Sequence, residues 1–350
     1  MVVGIVGSVI VHRTGGRRST TIYDVAEAAG VAPSTVSRAF SRPGRVNAET
    51  AERIRTIAAE LGYRANPQAR ALSTTRTMML AVVLADVTNP GFFDLVRGAG
   101  SAAREAGYTM MLAESQESPE REREILEAMA ASADGIVLAG ARMSDAGIRQ
   151  IAKVTPIVMV NRDVTGVPSV VVDLARGAHA SAEYLHRLGH TEVTYLSGPE
   201  ASWPDGMRWH ALREAGVQLG MRIRRSGPYR PTVAGGVRAG MSWWEASRAG
   251  SAGTAVVAYN DLLAIGFIRA VSKSGGRIPD DVSVVGFDNT SSAELITPEL
   301  TTVAAPMHEV GVTAATNVIA LARGATSTRS EPVVVPTRLV QRDSCAAPGR

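Results

Sequence analysis

The chain has 350 residues, 45% of them hydrophobic and 20% charged, with 34 Gly, 17 Pro and one Cys, proportions that exclude a low-complexity or fibrous protein. Its length calls for two or three domains, its apolar stretches fall short of the ~18 residues a membrane span needs, and the lone Cys345 excludes an internal disulfide, making a reducing cytoplasm the default compartment. The net charge of +4 is uneven: residues 1–75 hold ten Arg, no Lys and five acidic residues, a net of +5, and the remainder carries −1. Such asymmetry points to an N-terminal module for an anionic partner on a neutral body, the alternative being a solvated arginine-rich face.

Residues 1–19 are apolar from Val2 to Val11 and then basic, the reverse of a signal peptide, and read as a disordered extension or a start placed too early. From Thr21 the pattern turns helical, with Ile22, Val25, Ala26 and Ala29 spaced i, i+3, i+4, i+7 and Gly30 as the breaker. A second short helix starts at Pro33, whose fixed φ suits a first helical position, and runs to Phe40. After a turn at Pro43 and Gly44, the residues Ile54, Ile57, Ala58 and Leu61 mark the apolar face of a third helix. Residues 20–65 thus form one compact helical unit. The segment 66–77 holds a potential helix, Asn66 to Leu72, too short to be stable alone, and a polar linker.

After Met78 short apolar runs alternate with longer amphipathic segments, among them Met79 to Ala85, Gly135 to Leu138, Val193 to Leu196 and Val282 to Phe287. Strand, helix, strand repetition implies parallel sheets with right-handed crossovers. Residues 78–345 are too many for one small sheet, so two doubly wound α/β lobes are expected, the first about 78–161 and 305–331, the second about 162–304 and 332–345. A ligand belongs in the crevice at the carboxyl ends of their strands.

The first two helices, joined by Gly30-Val31-Ala32, have the length and turn of a DNA-reading helix-turn-helix. The second presents Ser34, Thr35, Ser37 and Arg38, small polar groups and a guanidinium suited to phosphates and base edges. A bidentate pairing of Arg38 with guanine is worth ~1–3 kcal/mol of discrimination; the plainer reading is a solvated surface arginine. Catalysis finds little support. The six His show no metal-ligand spacing, Gly198-Pro199 and Gly235-Gly236 do not build a phosphate loop, and no Gly-x-Ser-x-Gly elbow occurs. Glu117, Glu120, Glu122, Glu124 and Glu127, interleaved with Arg121 and Arg123, read as a solvated helix face. No catalytic residue, metal or cofactor is expected.

Thr21-Ile22-Tyr23-Asp24-Val25-Ala26 through Val31, Ser34-Thr35-Val36-Ser37-Arg38, Leu61-Gly62-Tyr63 and Asn66-Pro67 resemble the DNA-binding head of the LacI/GalR family of transcriptional regulators. Further landmarks follow in order: Asn89-Pro90, Gly107-Tyr108, Asp134-Gly135-Ile136, Leu188-Gly189-His190, Asn260-Asp261, Val282 through Asn289 and Leu300-Thr301-Thr302-Val303. The resemblance spans roughly residues 20–343. It implies a helix-turn-helix head on a body like the periplasmic binding proteins. It places Pro33, Ser34 and Arg38 at operator bases, and Thr21, Tyr23, Thr35, Ser37 and Arg45 where phosphates are held or the recognition helix is steadied. Asn66, Ala69, Arg70 and Leu72 match a hinge helix that folds in the minor groove, with Leu72 as the wedge that kinks the operator centre. Two positions depart from the pattern. Ala32 stands where the family often has an N-capping Ser, a loss of about 1 kcal/mol, and Pro33 replaces bulkier base-reading residues.

For the effector, family position suggests Phe92 and Phe93 on one wall, Asn161 and Arg162 after a strand, Trp203 and Arg208 opening the second lobe, and Tyr229, Asn260 and Asp288 on its loops. Carboxylate, amide and guanidinium groups with aromatic faces suit a mono- or disaccharide or a sugar phosphate. The region around Ser202 lacks the charged residue of nucleobase-binding relatives, which favours carbohydrate. The resulting expectation is a cytoplasmic, nucleoid-associated homodimer that represses carbohydrate-utilisation genes by binding double-stranded operator DNA, without contact to a membrane. The tail after Val340 has no leucine heptad, which favours a dimer over a tetramer. The rivals are a transport-associated sugar-binding protein, which predicts an export signal and no head, a regulator with a nucleobase effector, and a carbohydrate-processing enzyme, which needs paired carboxylates across a cleft.

Overall fold

The computed structural model describes residues 20–41, 43–63, 76–326 and 331–349 and divides into two compact units, one ending at Thr77 and one starting at Met78.

The N-terminal unit is built from α1 (Ile22–Ala29), α2 (Pro33–Ser41) and α3 (Ala48–Glu60). A capping box starts α1: Thr21 N–H donates to the Asp24 carboxylate at 2.7 Å and Asp24 N–H donates back to the Thr21 hydroxyl, satisfying donors that a helix start leaves open. Gly30 ends it in the left-handed region, φ +62°, while Val31 N–H donates to Ala26 O at 3.0 Å, an arrangement open to Gly without strain. The apolar spacing then does its work, since Val25, Ala26 and Ala29 bury against Val36, Ala39, Ala51, Ile54 and Ala58. Leu61 departs from the expected face and is 41% exposed. The helix stops at Glu60, Gly62 turns the chain at φ +65°, and Tyr63 packs instead against Phe40, ring centroids 6.0 Å apart.

The C-terminal unit carries two six-stranded sheets. The first contains β1 (Met79–Leu84), β2 (Thr109–Glu114), β3 (Gly135–Ala139), β4 (Ile157–Val160), β5 (Ser169–Val172) and β11 (Val333–Val335), in the order β11-β5-β4-β3-β1-β2. The second contains β6 (Glu192–Leu196), β7 (Arg222–Ser226), β8 (Ala255–Ala258), β9 (Ser283–Phe287), β10 (Thr301–Ala304) and β12 (Arg338–Val340), in the order β12-β10-β9-β8-β6-β7. Strand periodicity sorts the apolar side chains onto two faces. Leu80, Val82 and Leu84 join one core with Val137 and Val158, and Ala81 and Val83 join the opposite core with Ile136, Leu138 and Met159.

Helices cover these faces: α4 (Phe93–Glu105), α5 (Pro119–Ala130), α6 (Asp145–Ala152) and α11 (Met307–Ala322) lie on the first lobe, and α7 (Leu174–Arg187), α8 (Trp203–Leu219), α9 (Val233–Arg248) and α10 (Asp261–Lys273) on the second. Where α4 meets α11, a Cβ on Gly98 would run into the His308 carbonyl, so glycine sets that close approach. The lobes are divided later than the sequence reading places them. Residues 162–172 and 332–335 belong to the first lobe, because β5 pairs with β4 in register Val160↔Val170 and β11 pairs with β5 in register Val334↔Val171. The chain therefore crosses between lobes three times, near Asp173, Ala305 and Pro336. The first and third crossovers are tied by the Thr337 hydroxyl, which donates to Asp173 O at 2.8 Å.

Candidate functional site

In the N-terminal unit the burial of Val36 and Ala39 fixes which face of α2 looks outward. Ser34 and Arg38, four residues apart and so on one side of the helix, are exposed, and Pro33, Thr35 and Ser37 are half-buried beside them. Ala32 offers no side-chain cap, and its carbonyl instead accepts from Thr35 N–H at 2.8 Å and Val36 N–H at 3.3 Å. Tyr23 is 70% exposed and Thr21 and Arg45 are exposed as well, residue types that can meet phosphates. Asn66, Ala69, Arg70 and Leu72 lie outside the described residues.

In the C-terminal unit the loops after the strand carboxyl ends of both lobes enclose a cavity of about 60 Å3. Of the nine expected effector residues, Phe92, Asn161, Arg208 and Asp288 line it. Asp288 follows β9 with φ +108°, and Asn161 follows β4 with φ +55°, backbone states that an Asn or Asp tolerates better than most residues. Arg208, on α8, has its guanidinium carbon 4.2 Å from the Phe287 ring centroid and 4.8 Å from that of Tyr259. One of its terminal nitrogens donates to Tyr259 O at 2.5 Å and the other stands 3.7 Å from the Asp288 carboxylate. Its buried Nε has no hydrogen-bond partner among the described residues. Burial pushes the Asp288 carboxyl up to about 6 against the pull of Arg208. Behind it Asp261, fully buried, is pushed up to about 7 by burial and then by the Asp288 charge, with hydrogen bonds from Thr302 and Thr290 opposing.

The other five expected residues do not line the cavity. Phe93 opens α4 and is 53% exposed. Arg162 turns back to the Asp145 carboxylate at 2.6 Å and to Ala141 O at 3.2 Å. Asn260 is consumed by capping α10, accepting from Leu263 N–H at 2.9 Å and donating to Pro231 O at 3.2 Å. Tyr229 packs against the second-lobe core with its hydroxyl 2.8 Å from Ser226 Oγ. Trp203, the first residue of α8, packs against the hydrophobic cluster of the first lobe.

In their place the cavity gains Asn89, Glu117, Arg142 and Tyr259. The Arg142 side chain is 3% exposed and its Nε donates to Glu117 at 2.5 Å. Glu117 and Glu122 are therefore not part of a solvated face. Glu122 is fully buried and accepts the backbone N–H groups of Arg142 and Met143 at 2.7 and 3.1 Å, while burial pushes its carboxyl upward. The signal that finds Glu117, Arg142 and Tyr259 is positional: each lies within three residues of the carboxyl end of a strand, β2, β3 and β8, where open α/β sheets bind ligands. Among the described residues no cluster of three or more His, Cys, Asp or Glu could hold a metal, and no helix is long and apolar enough to cross a membrane.

Residues 21–66 match the model of bacterial regulatory proteins of the lacI family, and residues 182–345 match a periplasmic binding protein-like domain. A helix-turn-helix head on such a two-lobed body defines a DNA-binding transcriptional regulator. The HTH-type transcriptional regulator DegA of Bacillus subtilis is 32% identical over 332 residues, 93% of this chain and 98% of that protein. The HTH-type transcriptional repressor CytR of Escherichia coli is 28% identical over 84% of this chain and 87% of its own length. The chain belongs to the LacI family. The Lac repressor dimer bound to operator and the anti-inducer ONPF shares the fold, with a TM-score of 0.83 at 24% identity over 94% of this chain and 100% of that one. A LacI family regulator from Enterococcus faecium with bound ribose matches 77% of this chain and 99% of its own, with a TM-score of 0.66 at 27% identity.

Proposed function

We propose that the protein is a homodimeric repressor of carbohydrate-utilisation genes whose grip on its operator is set by a small sugar-like effector held between the two lobes. The observation that carries this reading is the interlobe cavity with Arg208, Asp288 and Asn161 on its wall. Guanidinium, carboxylate and amide groups hydrogen-bond hydroxyls, and the Phe92 and Tyr259 rings offer apolar faces for a sugar ring. The ribose bound to the Enterococcus faecium relative supports the same class. On the DNA side, Ser34 and Arg38 read base edges while Thr21, Tyr23 and Arg45 hold phosphates, and Asn66, Ala69, Arg70 and Leu72 contact the minor groove. An effector that changes the angle between the lobes changes the spacing of the paired hinges and so the operator affinity.

An anisotropy titration against the DNA upstream of the protein's own gene and its neighbours tests the first half. Operator binding that survives Arg38→Ala together with Leu72→Ala contradicts it. Thermal-shift screening across sugars and nucleobases tests the second half. A sugar that raises the melting temperature of the parent but not of Asp288→Ala is the expected result, and a response to nucleobases alone overturns it.

A further inference from the structure

Two buried side chains close the cavity from opposite lobes. Arg142 follows β3 and Tyr259 follows β8, both line the cavity, and the Arg142 guanidinium donates to the Tyr259 hydroxyl across the crevice. Each end of this bridge is fixed. On the first lobe Arg142 Nε donates to Glu117 at 2.5 Å, and Nη1 donates to Gly140 O at 2.9 Å and Ala141 O at 3.2 Å. On the second lobe the Tyr259 hydroxyl lies 2.9 Å from Ser202 Oγ. A guanidinium offers no acceptor, so the Tyr259 oxygen accepts from Arg142 and keeps its own proton for Ser202. The Ser202 oxygen also accepts from Asp205 N–H at 3.3 Å, at the start of α8. The lobes meet closely at a second place, where a Cβ on Gly91 of the first lobe would stand 2.8 Å from an Asp288 carboxylate oxygen of the second.

Both contacts lie on the cavity wall, and the space they bound is small. At ~10–15 Å3 per water-sized centre, about 60 Å3 holds only a few such centres, room for one sugar ring and not for a second. A longer ligand is taken in only by moving the lobes apart, and that breaks the bridge. Breaking it strips the Tyr259 oxygen of a charged donor and leaves Arg142, whose side chain is 3% exposed, short of a partner. An unmade hydrogen bond to a buried charged group is the costly kind. A single ring that fits between the closed lobes meets no such cost.

We propose that Arg142 and Tyr259 set the size of the effector, the bridge between them admitting a single monosaccharide ring and turning away a disaccharide. The proposal rests on the reading of the interlobe cavity as the effector site and narrows the class of ligand. Removing the bridge leaves Asn161, Arg208 and Asp288 on the wall, so the groups that hydrogen-bond a sugar stay while the limit on its length goes.

Calorimetric titration of the full-length chain tests it, with D-ribose, D-glucose and D-galactose beside cellobiose, maltose and lactose. At least one single-ring sugar is expected to bind tenfold or more tightly than every disaccharide. Tyr259→Phe keeps the ring and deletes only the hydroxyl that receives Arg142, and Arg142→Ser empties the space the guanidinium fills. Each should strengthen disaccharide binding tenfold or more, a gain that mere damage to the site does not produce. A circular-dichroism melt confirms that each variant is folded, and Tyr259→Phe decides alone if Arg142→Ser is not. The proposal is overturned if a disaccharide binds the parent as tightly as the best single-ring sugar, if no sugar in the panel binds, or if the folded variants gain no disaccharide affinity. A disaccharide that binds the parent and shifts operator affinity overturns this proposal alone. If no sugar or nucleobase shifts operator affinity while operator binding is intact, the cavity reading itself falls.

Discussion

Asp288 lines the cavity and Asp261 is buried behind it, and both hold their protons more tightly folded than unfolded. Their ordinary value is 3.8; burial pushes Asp288 up to about 6 against the pull of Arg208, and burial together with the Asp288 charge pushes Asp261 up to about 7. A raised carboxyl contributes stability that is full below the unfolded value and is lost as pH climbs through the folded one. The window is therefore about pH 4 to 7, with stability falling as pH rises. Asp288→Asn removes one of the pair and the charge that lifts the other, so its melting temperature relative to the parent should be higher at pH 7.5 than at pH 5. A flat or reversed difference contradicts the assignment. At this scale the sequence was only partly legible. Asp288 sits in the family motif Val282 to Asn289 and Arg208 was reached by family position, but Arg142 and Tyr259 have neither signal, and their roles arise from loops that meet only when two distant strands end at the same crevice. Asn260 and Arg162 carry the right chemistry for an effector, yet a helix cap and an ion pair with Asp145 use it up.

Elements whose burial is dictated by pattern were legible at the level of single turns. The central strands, buried on both faces, read as continuous apolar runs, and the capping box at α1 stands in the text as Thr21-x-x-Asp24. Thr21→Ala should cost about 1 kcal/mol, seen as faster amide exchange in α1. Gly98→Ala tests a different term. The helix propensity gain of ~0.5–1 kcal/mol is set against overpacking onto the His308 carbonyl, which typically costs ~1–3 kcal/mol, so urea denaturation should show a net loss. What escaped the reading was the edge of the second sheet. The strand β7, Arg222-Ile223-Arg224-Arg225-Ser226, is charged because an edge strand is protected from pairing with other chains by such residues, and that protection hides its strand character. The lobe boundary was misplaced for a related reason: β4 and β5 follow one another with no helix between them, and only their pairing shows that the chain has not yet crossed.

For the whole molecule the charge split was the most informative simple number. The +5 of the first 75 residues coincides with the unit that carries the exposed Arg38 and Arg45. Arg38→Ala should weaken a specific operator by ~1–3 kcal/mol, about 5- to 150-fold in anisotropy, with a much smaller change on unrelated DNA. Linkage fixes a second expectation. If effector and operator share one conformational equilibrium, the operator must change effector affinity by the same factor, typically ~1–3 kcal/mol, that the effector changes operator affinity.

Trp203 begins a helix of the second lobe and rests on the core of the first, whereas Trp209 and Trp243 belong to clusters of the second lobe and Trp244 packs against one of them. It is thus a built-in optical gauge of lobe separation. With Trp209, Trp243 and Trp244 replaced by Phe, the remaining indole would emit further to the red whenever the cleft opens to water, so effector binding could be followed by fluorescence without attaching a dye.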